Sequence, residues 1–587
     1  MSKYLKSFEN SIDWLHGQLT PKQFLIFSSI MVAATAGIIA VLLKTMVHYI
    51  RSLITYQFQY EHIIYFIFPI VGIFLSVFFV KRYLKGKLER GTATILFSIA
   101  KKSSFLPRNL MYSNVITSAF TVGFGGSAGL ESPIVTTGSA IGSNYSKTYH
   151  LNYKDRTLLL ACGAASGIAA GFNTPIAGVL FALEVLIVDI SISSFIPLII
   201  AAATGGLISK IILQEDILFN FKLQEPFNYL NVPYYIILGL LTGLISLYYA
   251  RVYSRIEGGL ENKKINAYLK ALIVGLALAI LILVFPPLFG EGYESIKVLS
   301  ELQPVKLFEN SIFAGFVDNQ WIIIALIILT MLIKVIAAAF TVGSGGNGGN
   351  FAPSLFMGAY LGFGFAYSIN LLGLGNLNIS NFTLVAMAGV LSGVFYAPLT
   401  GIFLIAEITG GYELMIPLMI VAAISYAFVN YFEPYSMDSK KLAAQGHLFV
   451  DDKDKTILAS LKTVAVIETN FQPISPDATL RELIEVVSLS KRNIFPVVDN
   501  EILVGIILLD DIREVMFKHE LYDKVLVRQL KRNPPDTINA DEDVQSVMRK
   551  FDATNAWNLP VISDGKYVGF VSKSSLLIKY RDKLMKS

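Results

Sequence analysis

Long apolar stretches recur along the first 440 residues, at about 24–43, 63–80, 194–213, 233–250, 267–287, 320–342 and 413–431. Each is long enough to cross about 30 Å of hydrocarbon as a helix. Between them lie shorter apolar pieces broken by glycine and proline, near 114–128, 133–142, 157–171, 175–188, 352–369, 384–396 and 398–409. Pieces that short persist at membrane depth only when buried in protein or lining a polar cavity. The pattern predicts an all-α polytopic membrane body with broken helices. From about 446 the pattern changes. Short strand candidates at 494–498 and 503–508 flank a turn at Asp499 and Asn500, and the arrangement returns at 558–562 and 567–571 around Asp564 and Gly565. Helix-like segments at 478–489 and 541–552 precede the two pairs, and another follows each, which predicts a soluble α/β unit present twice.

Composition sharpens the division. Only 16% of the 587 residues are charged, against 54% hydrophobic, where an ordinary soluble chain carries about 25% charge. Residues 446–587 hold 41 of the 91 charges, leaving 50 for the first 445. The single cysteine, Cys162, excludes internal disulfides and Cys-rich metal sites, and no other metal site is expected. A net charge of +5 without a long basic run gives no reason to expect nucleic acid. Residues 1–21 lack the pattern of a signal peptide. Lys81, Arg82, Lys85, Lys87 and Arg90 place the loop after the second span in the cytoplasm.

The body repeats itself. Phe120-Thr-Val-Gly-Phe-Gly-Gly126 matches Phe340-Thr-Val-Gly-Ser-Gly-Gly346 at an offset of 220, which Pro133 and Pro353 keep. Pro175-Ile-Ala-Gly178 ending at Glu184 matches Pro398-Leu-Thr-Gly401 ending at Glu407, at an offset of 223. Repeats with paired broken helices are a mark of transporter-like folds, with the site between the halves. Each glycine block (125–133 and 345–353) runs into a proline that opens a new helix. Helix starts offer free N–H groups and partial positive charge, so each block can hold an anion without a cation gripping it. Glu131 sits inside the first block. A carboxylate at membrane depth is costly and reads as functional; here it could occupy the anion's own place and leave it when protonated or displaced. The plainer alternative is a loop glutamate at the membrane surface.

These blocks resemble those of the CLC family of chloride channels and proton-coupled chloride transporters. The family's Gly-Arg-Glu-Gly-Pro motif corresponds to Gly129-Leu130-Glu131-Ser132-Pro133, and its Gly-x-Phe-x-Pro motif to Gly349-Asn350-Phe351-Ala352-Pro353. The likeness spans about 85–440. It implies an inverted repeat and a homodimer with one anion pathway per subunit. It makes Glu131 the gate, with the backbone at Gly129, Leu130, Ser132, Gly349, Asn350, Phe351 and Ala352 around the ion.

Three departures accompany the resemblance. The place of the family's pore serine falls in Glu89-Arg90-Gly91-Thr92-Ala93, where Arg90 either lines the inner mouth or is one more solvated basic residue. The pore tyrosine's place falls at Asp438, with Tyr435 close by, so the preferred anion stays open. The inner glutamate of many exchangers, one residue past the position of Glu184, is Val185. Valine cannot relay a proton, which favours a channel or weakly coupled carrier over a proton-coupled exchanger, although a water chain or a carboxylate such as Asp189 could substitute. Glu184 and Glu407 read as helix-packing or helix-end residues.

The tail resembles a pair of CBS domains, at about 463–520 and 527–585. Such pairs often hold adenine nucleotides through a hydroxyl and an aspartate after the glycine. The first half keeps Asp511 without the hydroxyl, and the second keeps Ser572 without the aspartate. A structural tail is therefore favoured over a nucleotide sensor, and no cofactor is required. The remaining catalytic patterns carry nothing. Gly125-Gly-Ser127-Ala-Gly129 mimics a nucleophile elbow but follows a helical stretch, and none of the six histidines lies inside an apolar run to serve it. Gly343-Ser-Gly345-Gly-Asn-Gly348 mimics a dinucleotide fingerprint without its strand context. No enzymatic activity is expected. The expected organisation is a cytoplasmic segment 1–22, a transport domain 23–440 and a cytoplasmic CBS pair 441–587. The whole is expected in a plasma or inner membrane, with both termini cytoplasmic and with lipid, a small anion and, in the coupled reading, protons as partners. The rival from another class is a membrane-anchored nucleotide sensor.

Overall fold

The computed structural model describes residues 18–57, 61–186, 192–213, 226–261, 265–309, 311–444, 461 and 463–586. The chain divides into two units, Met1–His447 and Leu448–Ser587.

Among the described residues of the first unit the helices fall into two runs of eight. The first run is α1 (Pro21–Gln57), α2 (Glu61–Tyr83), α3 (Gly91–Lys101), α4 (Leu110–Gly123), α5 (Glu131–Thr148), α6 (Tyr153–Phe172), α7 (Pro175–Phe181, continued by a π-turn at Ala182–Leu186) and α8 (Ile192–Leu213). The second is α9 (Val232–Glu261), α10 (Ala267–Val284), α11 (Tyr293–Ser300), α12 (Gln320–Gly343), α13 (Phe351–Leu371), α14 (Ile379–Phe395), α15 (Pro398–Ile408) and α16 (Met415–Phe432), after which comes α17 (Met437–Ala444). Among the described residues seven helices are long and apolar enough to cross a membrane, in the regions the hydropathy pattern predicts. The chain is a multi-pass membrane protein. The short helices α3 and α11 carry no long apolar run, and the pattern gives no sign of them.

The repeat is stapled to itself residue by residue. Thr341 Oγ1 accepts from Ser127 N–H at 3.0 Å, and Thr121 Oγ1 accepts from Asn347 N–H at 2.9 Å. Each threonine of the Phe-Thr-Val-Gly motif thus holds the glycine block of the opposite half. The chain leaves α4 and α12 through Gly125 and Gly345, at φ +94° and +113°, a backbone region where L side chains are strained. A Cβ on Gly125 would also lie 2.0 Å from the Phe289 ring. Close packing of α5 on α6 rests on Gly138 and Gly163, where a Cβ on either would come within 2.2 Å of the other's carbonyl oxygen. Small residues at helix contacts let backbones approach in this way inside membranes.

In the second unit, helix α18 (Leu480–Leu489) precedes the hairpin β1 (Ile494–Asp499) and β2 (Ile502–Leu508). Ile474 adds a parallel bridge to Val497. The other half runs β3 (Ile538–Asn539), α19 (Val544–Thr554), β4 (Asn558–Ser563), β5 (Lys566–Ser572) and α20 (Lys573–Lys586), with β3 parallel and β5 antiparallel to β4. The second turn is at Asp564 and Gly565 as predicted. The first lies one residue later than predicted, at Asn500 and Glu501, because those two hold the positive φ (45° and 69°) that a tight hairpin needs.

Candidate functional site

The approaches to α5 and α13 meet in the middle of the repeat. Gly129 N–H donates to Gly349 O at 2.9 Å and Gly349 N–H to Gly129 O at 2.7 Å, a short antiparallel bridge between equivalent residues. A Cβ on Gly129 would lie 2.2 Å from Glu131 Oε2 and 3.1 Å from Ala352 N, so glycine is required for the two helix starts to come together around Glu131.

Glu131 is 4% exposed. Its Oε1 accepts from the Tyr293 hydroxyl. Its Oε2 faces its own amide and that of Ala352, without a well-formed hydrogen bond. The carboxylate therefore fills the gap between two helix N-termini, where partial positive charge converges. It is not the surface-loop glutamate of the plainer alternative.

Beside Glu131 opens a cavity of about 90 Å³. Ser132, Gly349, Asn350 and Phe351 bring both helix starts to its wall, and Arg90 and Asp438 reach it from 35 residues before the first block and 85 residues after the second, respectively. Gly129, Leu130 and Ala352 stand behind that wall; Leu130 is buried in an apolar cluster with Val115 and Ile134. Arg90 is no free surface cation. Its Nη1 donates to Gly346 O at 2.7 Å and its Nη2 lies 3.6 Å from Glu261, which ties the start of α3 to the second glycine block. Asp438 lines the cavity where Tyr435 does not.

The cavity also holds groups that motif reading did not find. Tyr253 and Glu257 of α9 line it. Tyr249, stacked on Tyr253 with ring centres 5.8 Å apart, donates its hydroxyl to Asn350 Oδ1 at 2.9 Å. These residues belong to an apolar span with no motif of its own, as does Lys44 of α1, and the remaining signal was only that of a charge inside a span.

Val185 lies in the π-turn after α7, half-buried against the core and apart from the cavity wall. Asp189 lies outside the described residues. Glu184 accepts from the N–H groups of Leu399 and Thr400 at 2.9 and 2.7 Å, a helix-end role. In the tail, Asp511 Oδ2 accepts from Leu508 N–H at 2.9 Å, closing the one-turn helix Leu509–Ile512, and lies 3.4 Å from Arg532. Ser572 donates to Glu468 Oε1. Both candidate nucleotide groups are thus engaged within the fold. Among the described residues no cluster of His, Cys, Asp and Glu could hold a metal ion.

Comparison with known proteins gives a consistent picture. The family described as "Voltage gated chloride channel" matches residues 71–430, and the CBS domain matches 464–518 and 527–582. The chain is 26% identical over 453 residues to "Chloride channel protein CLC-f" of Arabidopsis thaliana, covering 68% of this chain and 56% of that protein. It spans, then, little more than half the length of that relative. Its fold is similar to that of a slow cyanobacterial Cl⁻/H⁺ antiporter (TM-score 0.63, 20% identity, 73% of this chain and 98% of the other). It is also similar to a eukaryotic CLC transporter (TM-score 0.60, 20% identity, 94% and 97%).

Proposed function

The chain belongs to the voltage gated chloride channel family, and we propose that it carries chloride or another small anion across the membrane along a path that Glu131 closes and opens. One observation carries the reading: the Glu131 carboxylate lies between two helix starts that would otherwise face an anion, beside a cavity lined by those same starts. A charged carboxylate there competes with the anion for the same amides. Protonated or displaced, it yields them. Arg90 brings positive charge to the cavity lining, while Asp438 and Glu257 oppose it, so the anion's entry depends on the balance of the three.

The first form of this reading is a channel or weakly coupled carrier, because Val185 has no proton to give. The second is a proton-coupled exchanger. It is favoured by Glu257 and Asp438, which share a cavity with Glu131 and could replace an acid at 185. The family is one of channels and transporters, not of enzymes. By the basic loop at 81–90, the second unit and both termini face the cytoplasm of a plasma or inner membrane, and two copies pair as a homodimer. The tail acts as a structural module, since Asp511 and Ser572 already have partners in the fold. A membrane-anchored nucleotide sensor would need no paired glycine blocks.

The experiment is a chloride gradient across liposomes holding the purified protein, with external chloride and pH recorded together and repeated for Glu131→Gln. Uphill proton movement abolished in the variant identifies an exchanger. Chloride flux without proton movement identifies a channel or uncoupled carrier. Nucleotide binding with no flux of any small anion would overturn the transport reading.

A further inference from the structure

Glu131 has a second face, away from the cavity, and a loop between α10 and α11 covers it. Gly290 N–H donates to Gly125 O at 3.0 Å, fixing the loop to the first glycine block. Gly290 and Gly292 both hold positive φ (66° and 95°), and the turn they make carries Glu291 toward the start of α5. Its carboxylate faces the backbone N–H of Leu130, the residue before Glu131. Two positions on, Tyr293 donates to Glu131 itself.

Glu291 is half-buried, yet its Oε1 is enclosed and has no hydrogen-bond partner. Glu131 Oε2 is in the same condition. The charged and titratable groups that face Glu291 are Glu131, Tyr293, Lys44, Arg51 and Lys334. Lys44 interacts electrostatically with both carboxylates and donates to Gly171 O. Lys334 is held 3.1 Å from Gly290 O, and Arg51 is paired with the exposed Glu294 at 2.5 Å. Each of these two carboxylates has an enclosed oxygen without a hydrogen-bond partner, and the two interact electrostatically with each other and with one lysine, so a proton passed from one to the other leaves the charge of the group unchanged.

We propose that Glu291 is the outer proton partner of Glu131. This rests on the reading of Glu131 as the gate. When protonated Glu131 gives up its proton, the Glu291 carboxylate takes it. Glu131 becomes the carboxylate that fills the gap between the helix starts, and Glu291 becomes the acid. Glu291 then releases the proton to water beside Arg51 and Glu294, and the reverse sequence reloads Glu131. The direction follows from the chain path. α2 ends at the basic cytoplasmic cluster, so the far end of α1, where Arg51 lies, faces outward.

The test steps external pH at fixed internal pH and records anion flux in liposomes for wild type, Glu291→Gln and Glu131→Gln. Flux in the wild type responds to external pH, and Glu291→Gln loses that response. A wild-type external-pH profile in Glu291→Gln overturns the proposal. An unchanged profile and flux in Glu131→Gln instead overturn the gate, which separates the two failures. Lys44→Met keeps both carboxylates and removes the cation they share, so it serves where Glu291→Gln does not fold. It is expected to move the midpoint of the external-pH response, and an unmoved midpoint counts against the shared proton.

Discussion

Glu184 and Glu407 each cap the start of the helix on which the other sits. Glu184, at the end of α7, accepts from Leu399 N–H, Thr400 N–H and the Thr400 hydroxyl at the start of α15. Glu407, at the end of α15, accepts from Ile176 and Ala177 N–H at 3.0 and 2.9 Å at the start of α7. Both helices open on a proline, so their first-turn donors have no partner within the helix. The carboxylates supply it, with a charge that suits a helix N-terminus.

Removing either carboxylate should destabilise the protein by about 1–2 kcal/mol, the range for losing a helix cap or a hydrogen bond to a charged group. Glu184→Ala and Glu407→Ala should unfold earlier in detergent than wild type, and by similar amounts. Glu184→Gln should leave the proton dependence of flux as it was. If that dependence disappeared while stability held, Glu184 would belong to the proton path and not to the scaffold.

The Tyr293 hydroxyl donates to the Glu131 carboxylate, and under the proposed gating role this bond favours the closed position. A bond to a charged acceptor is worth about 1.5–3 kcal/mol, so Tyr293→Phe should shift the closed–open balance toward open by roughly tenfold or more. The expected result is faster anion flux at low anion concentration, with Glu131 still responsive to pH. Unchanged flux in Tyr293→Phe would mean that the amides alone hold Glu131 in place.

How much of this was readable in the sequence differs residue by residue. The glycine blocks and their offset of 220 told that two broken helices form one structure, since Thr121 and Thr341 hold each other's block at that same offset. Arg90 and Asp438 were reachable only through the spacing of the family's motifs, and the cavity brings both to its wall. Tyr249, Tyr253, Glu257, Lys44 and Glu291 were not readable. Their helices are uniform apolar spans or a short loop, and which face turns inward is decided by helices more than 80 residues away in sequence. Helix α11 escaped notice for a related reason: eight residues of mixed polarity look like a loop until α13 packs on them.

Arg90 and Asp438 place opposite charges on one cavity wall. Arg90→Gln should weaken anion binding several-fold at low ionic strength, and Asp438→Asn should strengthen it. Both effects should shrink as salt rises, because the Debye length falls to about 8 Å at physiological ionic strength. Isothermal titration of chloride at two salt concentrations checks this. Equal affinities in all three proteins would place the anion's contacts with the backbone alone. Arg90→Gln also loses its bond to Gly346 O, so its thermal stability is measured alongside.

The tail carries a pH signature of its own. Glu468 forms a β-bridge to Phe570, accepts from Ser572, and pairs with Arg492, whose guanidinium lies 4.7 Å from the Phe471 ring. Burial pushes the Glu468 carboxyl up, but the hydrogen bonds from Ser572 and Arg492 and the Arg492 charge outweigh it and hold the group below its ordinary value of 4.5. A carboxylate lowered by folding adds stability above its unfolded value, and that stability is lost as pH falls through the folded one. The side chain is 20% exposed, so water screens part of the effect. In the full-length protein, protection of residues 464–586 against hydrogen exchange should be level above about pH 5 and fall below 4.5. Glu468→Gln should be less protected than wild type at pH 7, and the gap should close toward acid pH. The same substitution loosens the Ser572 hydroxyl. Adenine nucleotide should therefore leave wild-type protection unchanged, and added protection in the wild type would show that nucleotide displaces Glu468 and that the tail is a sensor.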